Sequence, residues 1–123
     1  MDGSTSRVCY ALHMPMINVF YADELYPQQL GSITAALKDF AAKSLTCHDI
    51  ALRPDEISVR LLQATGDGML AEIEVEVTAH AFRERIERQD EICLEIREFL
   101  KSKLTAPDVR VWLLLPELGH SWE

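Results

Sequence analysis

Pro15 follows Met14 directly and stands just before an apolar, β-prone run, MINVFYA at residues 16–22. Were the chain to begin at Pro15, its nitrogen would be a rigid secondary amine. A free α-amine titrates near about 7.7–8.0, within reach of acid–base work at neutral pH. Preceded by Met14, the same nitrogen belongs to a tertiary amide without a proton or useful basicity. Two readings of Pro15 therefore stand: an amine exposed by loss of the preceding residues, or a restraint ahead of a strand. Arg60 and Arg110 occur in matching V-R-hydrophobe triplets. A guanidinium can hold a carboxylate through two parallel hydrogen bonds, and it can equally form an ion pair with Glu72, Glu74 or Glu76 across a sheet. Near the carboxyl terminus, His120 brings an imidazole, a side-chain type suited to acid or base work, and Trp122 offers an aromatic surface.

The remaining chemistry-bearing residues are scattered. Cys9, Cys47 and Cys93 are widely separated and odd in number, unlike a disulfide framework. They read as small apolar side chains in a reducing cytoplasm. His13, His48, His80 and His120 show no metal-ligand spacing with each other or with cysteine, so no metal is expected. A net charge of −8 and a pI near 4.9 argue against general nucleic-acid or anionic-membrane binding. A few local arginines can still form a positive pocket. No apolar run approaches the ~18 residues of a membrane helix.

These residues need a scaffold, and 123 residues with 48% apolar side chains suffice for one domain. Residues 1–13 are polar and irregular and read as a flexible leader, leaving 14–123 as a single unit. After the strand at 16–22, QQLGSITAALKDFAAKSL places Leu30, Ile33, Leu37, Phe40, Ala41 and Leu45 at helical intervals. Pro54 and Asp55 then lead into EISVRLL, a strand with Val59 and Arg60 on opposite faces. TGDG at 65–68 is a strong turn signal, and the order repeats beyond it. LAEIEVEVTA alternates Ile73, Val75 and Val77 with glutamates. Residues 82–104 carry a helical stripe of Phe82, Ile86, Cys93, Ile96 and Leu100. Pro107 and Asp108 precede VRVWLLL, in which Arg110 and Trp112 oppose the valines.

The chain thus reads strand–helix–strand twice, as pseudo-repeats 15–64 and 69–118, with PDEISVRLL matching PD-VRVWLL. Right-handed crossovers make this an α+β sandwich: a four-stranded mixed sheet with two helices on one face. The other face mixes Arg60, Arg110, Trp112, Leu62 and glutamates, and is best covered by further copies of the chain.

MPMINVF, the two strand–helix–strand units and the ending LTAPDVRVWLLLPELGHSW together resemble the tautomerase superfamily over residues 14–122. That superfamily includes 4-oxalocrotonate tautomerase, 5-carboxymethyl-2-hydroxymuconate isomerase and macrophage migration inhibitory factor. The resemblance implies a homotrimer and cofactor-free proton transfer on a small 2-oxo or 2-hydroxy unsaturated acid. It also implies that Pro15, once amino-terminal, is the base, with Arg60 or Arg110 as carboxylate clamp. Trp122 lies near the position of the family's late aromatic that helps form the pocket, and His120, two residues before it, is either a further pocket group or an ordinary surface histidine. The family's arginine just past the first strand has no counterpart here, where the chain reads YADELYP. Asp23 and Glu24 in that stretch are expected to repel a second substrate carboxylate. Dehalogenation-type hydration and decarboxylation also occur in the superfamily. The rival expectation is a non-catalytic protein of the same fold with its proline blocked.

Overall fold

A computed structural model describes residues 14–24, 26–47, 51–105 and 108–116. The expected leader, residues 1–13, lies outside the described residues, as do His120 and Trp122. Strand β1 is Met16–Tyr21, followed by helix α1, Tyr26–Leu45. A 3-10 turn at Pro54–Glu56 leads into β2, Ser58–Gln63. Strand β3 is Ile73–Thr78, and β4 is Val109–Leu114. Between them lie α2, Arg83–Glu87, and α3, Gln89–Lys103.

The sheet order is β2-β1-β3-β4. Each unit contributes a parallel pair, β1 with β2 and β3 with β4, because a helical crossover returns the chain in its starting direction. Antiparallel β1 and β3 join the pairs at the centre. The two-residue period puts Ile17, Val19, Ile73, Val75, Val77 and Val109 on the helix side, all fully buried. Leu30, Leu37 and Leu45 of α1 and Ile92, Ile96 and Leu100 of α3 close this core from above. Gly66 at φ +91° makes the turn after β2, a conformation that a side chain with Cβ rarely adopts.

The second helical segment departs from the expected stripe. It is broken at Arg88, and Ile86 is exposed while Arg85 is buried. Counting back from Ile92 by seven residues, or two turns, reaches Arg85 and not Ile86. The carboxyl end of α1 explains why a cation is tolerated there. Arg85 Nε donates to the Leu45 carbonyl at 2.9 Å and Nη1 to the His80 carbonyl at 3.1 Å. Arg88 Nη1 donates to the Ser44 carbonyl at 3.4 Å. The Ser44 and Leu45 carbonyls end α1 without intrahelical partners and at the negative end of its dipole, so guanidinium donors satisfy both requirements. Arg88 is held in turn by Glu95 at 2.9 Å, which also accepts a 2.9 Å bond from the Ser44 hydroxyl.

Candidate functional site

Pro15 sits one residue ahead of β1 with its side chain on the buried side of the sheet. Its carbonyl accepts a hydrogen bond from the Ser58 N–H at 3.1 Å, extending the β1–β2 ladder by one rung. Because these strands run parallel, the residues that precede each strand meet at one end of the sheet. A recess of ≈ 310 Å³ forms there, lined by Met14, Pro15, Met16, Asp55, Glu56, Ile57 and Ser58. The pairing also brings Arg60 close. Arg60 is in register with Asn18, and its Nη2 lies 3.5 Å from Met16 Sδ, so the guanidinium leans toward the Pro15 end of the exposed face. Within the chain, Arg60 makes no ion pair among the described residues, neither with Glu72 nor with the β3 glutamates Glu74 and Glu76. Those glutamates have other partners or positions: Glu72 accepts from the Tyr26 hydroxyl, and Glu74 Oε2 accepts from the N–H groups of Leu70 and Ala71 at 2.6 and 3.1 Å.

The acidic wall of the recess is organised by Arg53. Its Nε lies 3.0 Å from Glu56 and 3.4 Å from Asp55. The Glu56 side chain is 9% exposed and the Asp55 side chain 73%, so Asp55 is the carboxylate that meets solvent at the rim. Neither residue was expected in the site. The signal available was the Pro-Asp-Glu turn immediately before β2, since parallel pairing brings that turn beside the residues ahead of β1. Asp23 and Glu24, in contrast, follow β1 and stand at the opposite end of the strand from Pro15. Within one chain they do not wall this recess.

Arg110 does not join Pro15 either. It is paired in register with Glu74, which faces Phe20, so it is two strands across and five residues along from Pro15, roughly 20 Å. It lines a separate recess with Arg97, Asp108 and Trp112, where its Nε approaches Asp108 at 3.8 Å. A further recess of ≈ 520 Å³ lies under the loop between β2 and β3, bounded by Phe20, Met69, Leu70, Glu76, Trp112 and Leu114. Trp112, Leu114, Leu62 and Met16 leave a substantial apolar surface exposed on this side of the sheet.

Of the two described cysteines, neither is a poised nucleophile. Burial pushes the Cys47 thiol up, with the nearby Arg85 cation opposing. Burial likewise pushes up Cys93, opposed by a hydrogen bond with the Leu113 backbone. Among the described residues no cluster of three or more His, Cys, Asp or Glu could hold a metal ion. No helix among them is long and apolar enough to cross a membrane.

The architecture has clear counterparts among solved structures. An F6 fused 4-OT, an asymmetric trimer, matches at TM-score 0.63 over 85% of this chain and 91% of its own, with 16% identity. The chain has the tautomerase fold. A macrophage migration inhibitory factor-like protein from Entamoeba histolytica matches at TM-score 0.61, 12% identity, with 89% and 96% of the two chains covered. FG41 malonate semialdehyde decarboxylase matches at TM-score 0.57 and 18% identity, covering 83% of each chain. No sequence-family model and no curated protein sequence matches. The tautomerase-fold assignment thus rests on structural similarity over more than four-fifths of each chain compared.

Proposed function

We propose that this chain catalyses cofactor-independent proton transfer on a small 2-oxo or 2-hydroxy unsaturated carboxylic acid, with Pro15 as base when it is the amino terminus. The observation that supports this most is the position of Pro15 at the mouth of β1, lining a recess beside Arg60 in a tautomerase fold. The reaction moves a proton from an enol or an activated carbon to another atom of the same conjugated system. A base held within hydrogen-bond reach, with a pKa near ambient pH, does this best. A nearby guanidinium favours the neutral, proton-accepting amine and offers two donors to a substrate carboxylate.

Residues 14–123 act as one unit in this reading, with pseudo-repeats 15–64 and 69–118, in the cytoplasm. Three copies cover one another's exposed sheet faces, a proposal supported by the surface around Trp112 and by the trimeric state of the F6 fused 4-OT. Arg110, Trp122 and His120 are proposed pocket residues through that assembly, with Arg110 reaching the Pro15 recess of a neighbouring copy. Small carboxylic acids are the proposed partners, with no nucleic acid or membrane.

The second reading is a non-catalytic ligand-binding or structural protein, favoured by the tertiary amide that Met14 makes of the Pro15 nitrogen. Ketonisation of an arylpyruvate enol by the full chain, by a chain starting at Pro15 and by its Pro15→Ala counterpart separates the two. Activity in the Pro15-start chain alone supports catalysis by the amine. Equal rates in all three exclude it.

A further inference from the structure

The recess around Pro15 holds its charges asymmetrically. Beside it on the exposed sheet face, outside the lining itself, stands Arg60, leaning toward the lining residue Met16 and without an ion-pair partner among the described residues. Along the opposite wall run Asp55 and Glu56, delivered by the 3-10 turn that precedes β2. Arg53 contacts both carboxylates, yet one cation shared by two carboxylates leaves that wall net negative. Met16 and Ile57 supply the apolar remainder of the recess in a chain that starts at Pro15.

We propose that Asp55 and Glu56 determine specificity in this recess by rejecting a second carboxylate, so that it takes a singly charged acid with an uncharged, apolar far end. This rests on the proton-transfer reading of Pro15 and deepens it. A carboxylate placed on Arg60 gains two charge-assisted hydrogen bonds. The far end of the same molecule then points along the wall of Asp55, Glu56 and Ile57, beside Met16. A methyl, alkyl or aryl group there meets methionine and isoleucine side chains. A second carboxylate meets like charge in a partly desolvated cleft and must give up its own hydration, while the one cation on that wall, Arg53, is already shared by Asp55 and Glu56. Glu56, mostly buried and fixed by Arg53, sets the inner limit, and solvent-facing Asp55 sets the outer one.

The discriminating comparison uses the Pro15-start chain with an arylpyruvate and its para-carboxy derivative, followed by both turnover and equilibrium binding. The singly charged compound is expected to bind, and to react if the amine is catalytic, at least tenfold better than the doubly charged one. Asp55→Asn should shrink that ratio threefold or more, and so should Glu56→Gln if the folded yield permits its measurement. Raising the salt concentration should narrow it as well. Turnover of both compounds at equal kcat/KM overturns the selectivity and leaves the proton-transfer reading intact. Preferential binding of the singly charged compound without turnover leaves the selectivity intact and overturns the catalytic reading. Binding of neither compound overturns both, and an unchanged ratio in Asp55→Asn removes that residue from the filter.

Discussion

The Ser58 N–H donates a 3.1 Å hydrogen bond to the Pro15 carbonyl, so Pro15 is tied to β2 by its own backbone. That bond fixes its position at the sheet end. A chain starting at Pro15 should therefore retain the thermal stability of the full chain to within about 1 kcal/mol, a difference read by denaturant titration. In that chain, replacing Pro15 by Ala should lower kcat by about 10²–10⁴, the usual contribution of a positioned base. The denaturation midpoint should move little.

Arg60 and Arg110 should respond differently to dilution. Arg60 shares an end of the sheet with Pro15 in its own chain, whereas Arg110 is roughly 20 Å away and can act only across an interface. Arg60→Ala should raise KM about tenfold or more at every protein concentration. Arg110→Ala should do so only where sedimentation shows an assembly.

Trp112 lies on the uncovered sheet face at 41% exposure. Trp112→Asp should convert an assembly to monomers in sedimentation velocity while leaving the far-ultraviolet circular dichroism unchanged. A monomeric wild-type chain would remove the reason for the prediction.

Arg85 fills a place in the helical stripe where an apolar residue was expected. Arg85→Met preserves much of the volume but takes the guanidinium donors from the Leu45 and His80 carbonyls. Chemical denaturation should show a loss of about 2–4 kcal/mol, larger than for an exposed arginine. Ile86→Ala, at an exposed position, should cost under about 1 kcal/mol.

Tyr26 donates to Glu72, and that hydrogen bond, with burial and the negative charges of Glu72 and Asp23, pushes its pKa from 10.0 up to about 12. The folded state thus keeps a proton that the unfolded state loses. The resulting stability is fully present below pH 10 and is lost as the pH rises toward 12. Between those values Tyr26→Phe should flatten the fall of unfolding free energy with pH, by at most about 1.4 kcal/mol per pH unit for one group.

Much of the scaffold is legible along the chain because local periodicity encodes it. Ile73, Val75 and Val77 alternate with glutamates, and only a strand with one buried face satisfies that pattern. Leu30, Leu37 and Leu45 likewise require a helix with one buried side. The segment from Phe82 was misread at its first turn. Its stripe is set by the end of another helix, and the attraction between Arg85 and the Leu45 carbonyl spans 40 positions of sequence.

The amino-acid sequence by itself determined the elements, their order and the candidate chemistry of Pro15, Arg60 and Arg110, because residue type and short-range spacing carry those properties. Tertiary structure decided which of them meet. Parallel pairing of β1 and β2 brought Asp55 and Glu56 to Pro15, and it left Asp23 and Glu24 at the far end of the strand. The antiparallel join of β1 and β3 carried Arg110 to the opposite flank of the sheet. Strand direction and register are collective properties of packing, so no local stretch of the chain reveals which charges will share a recess.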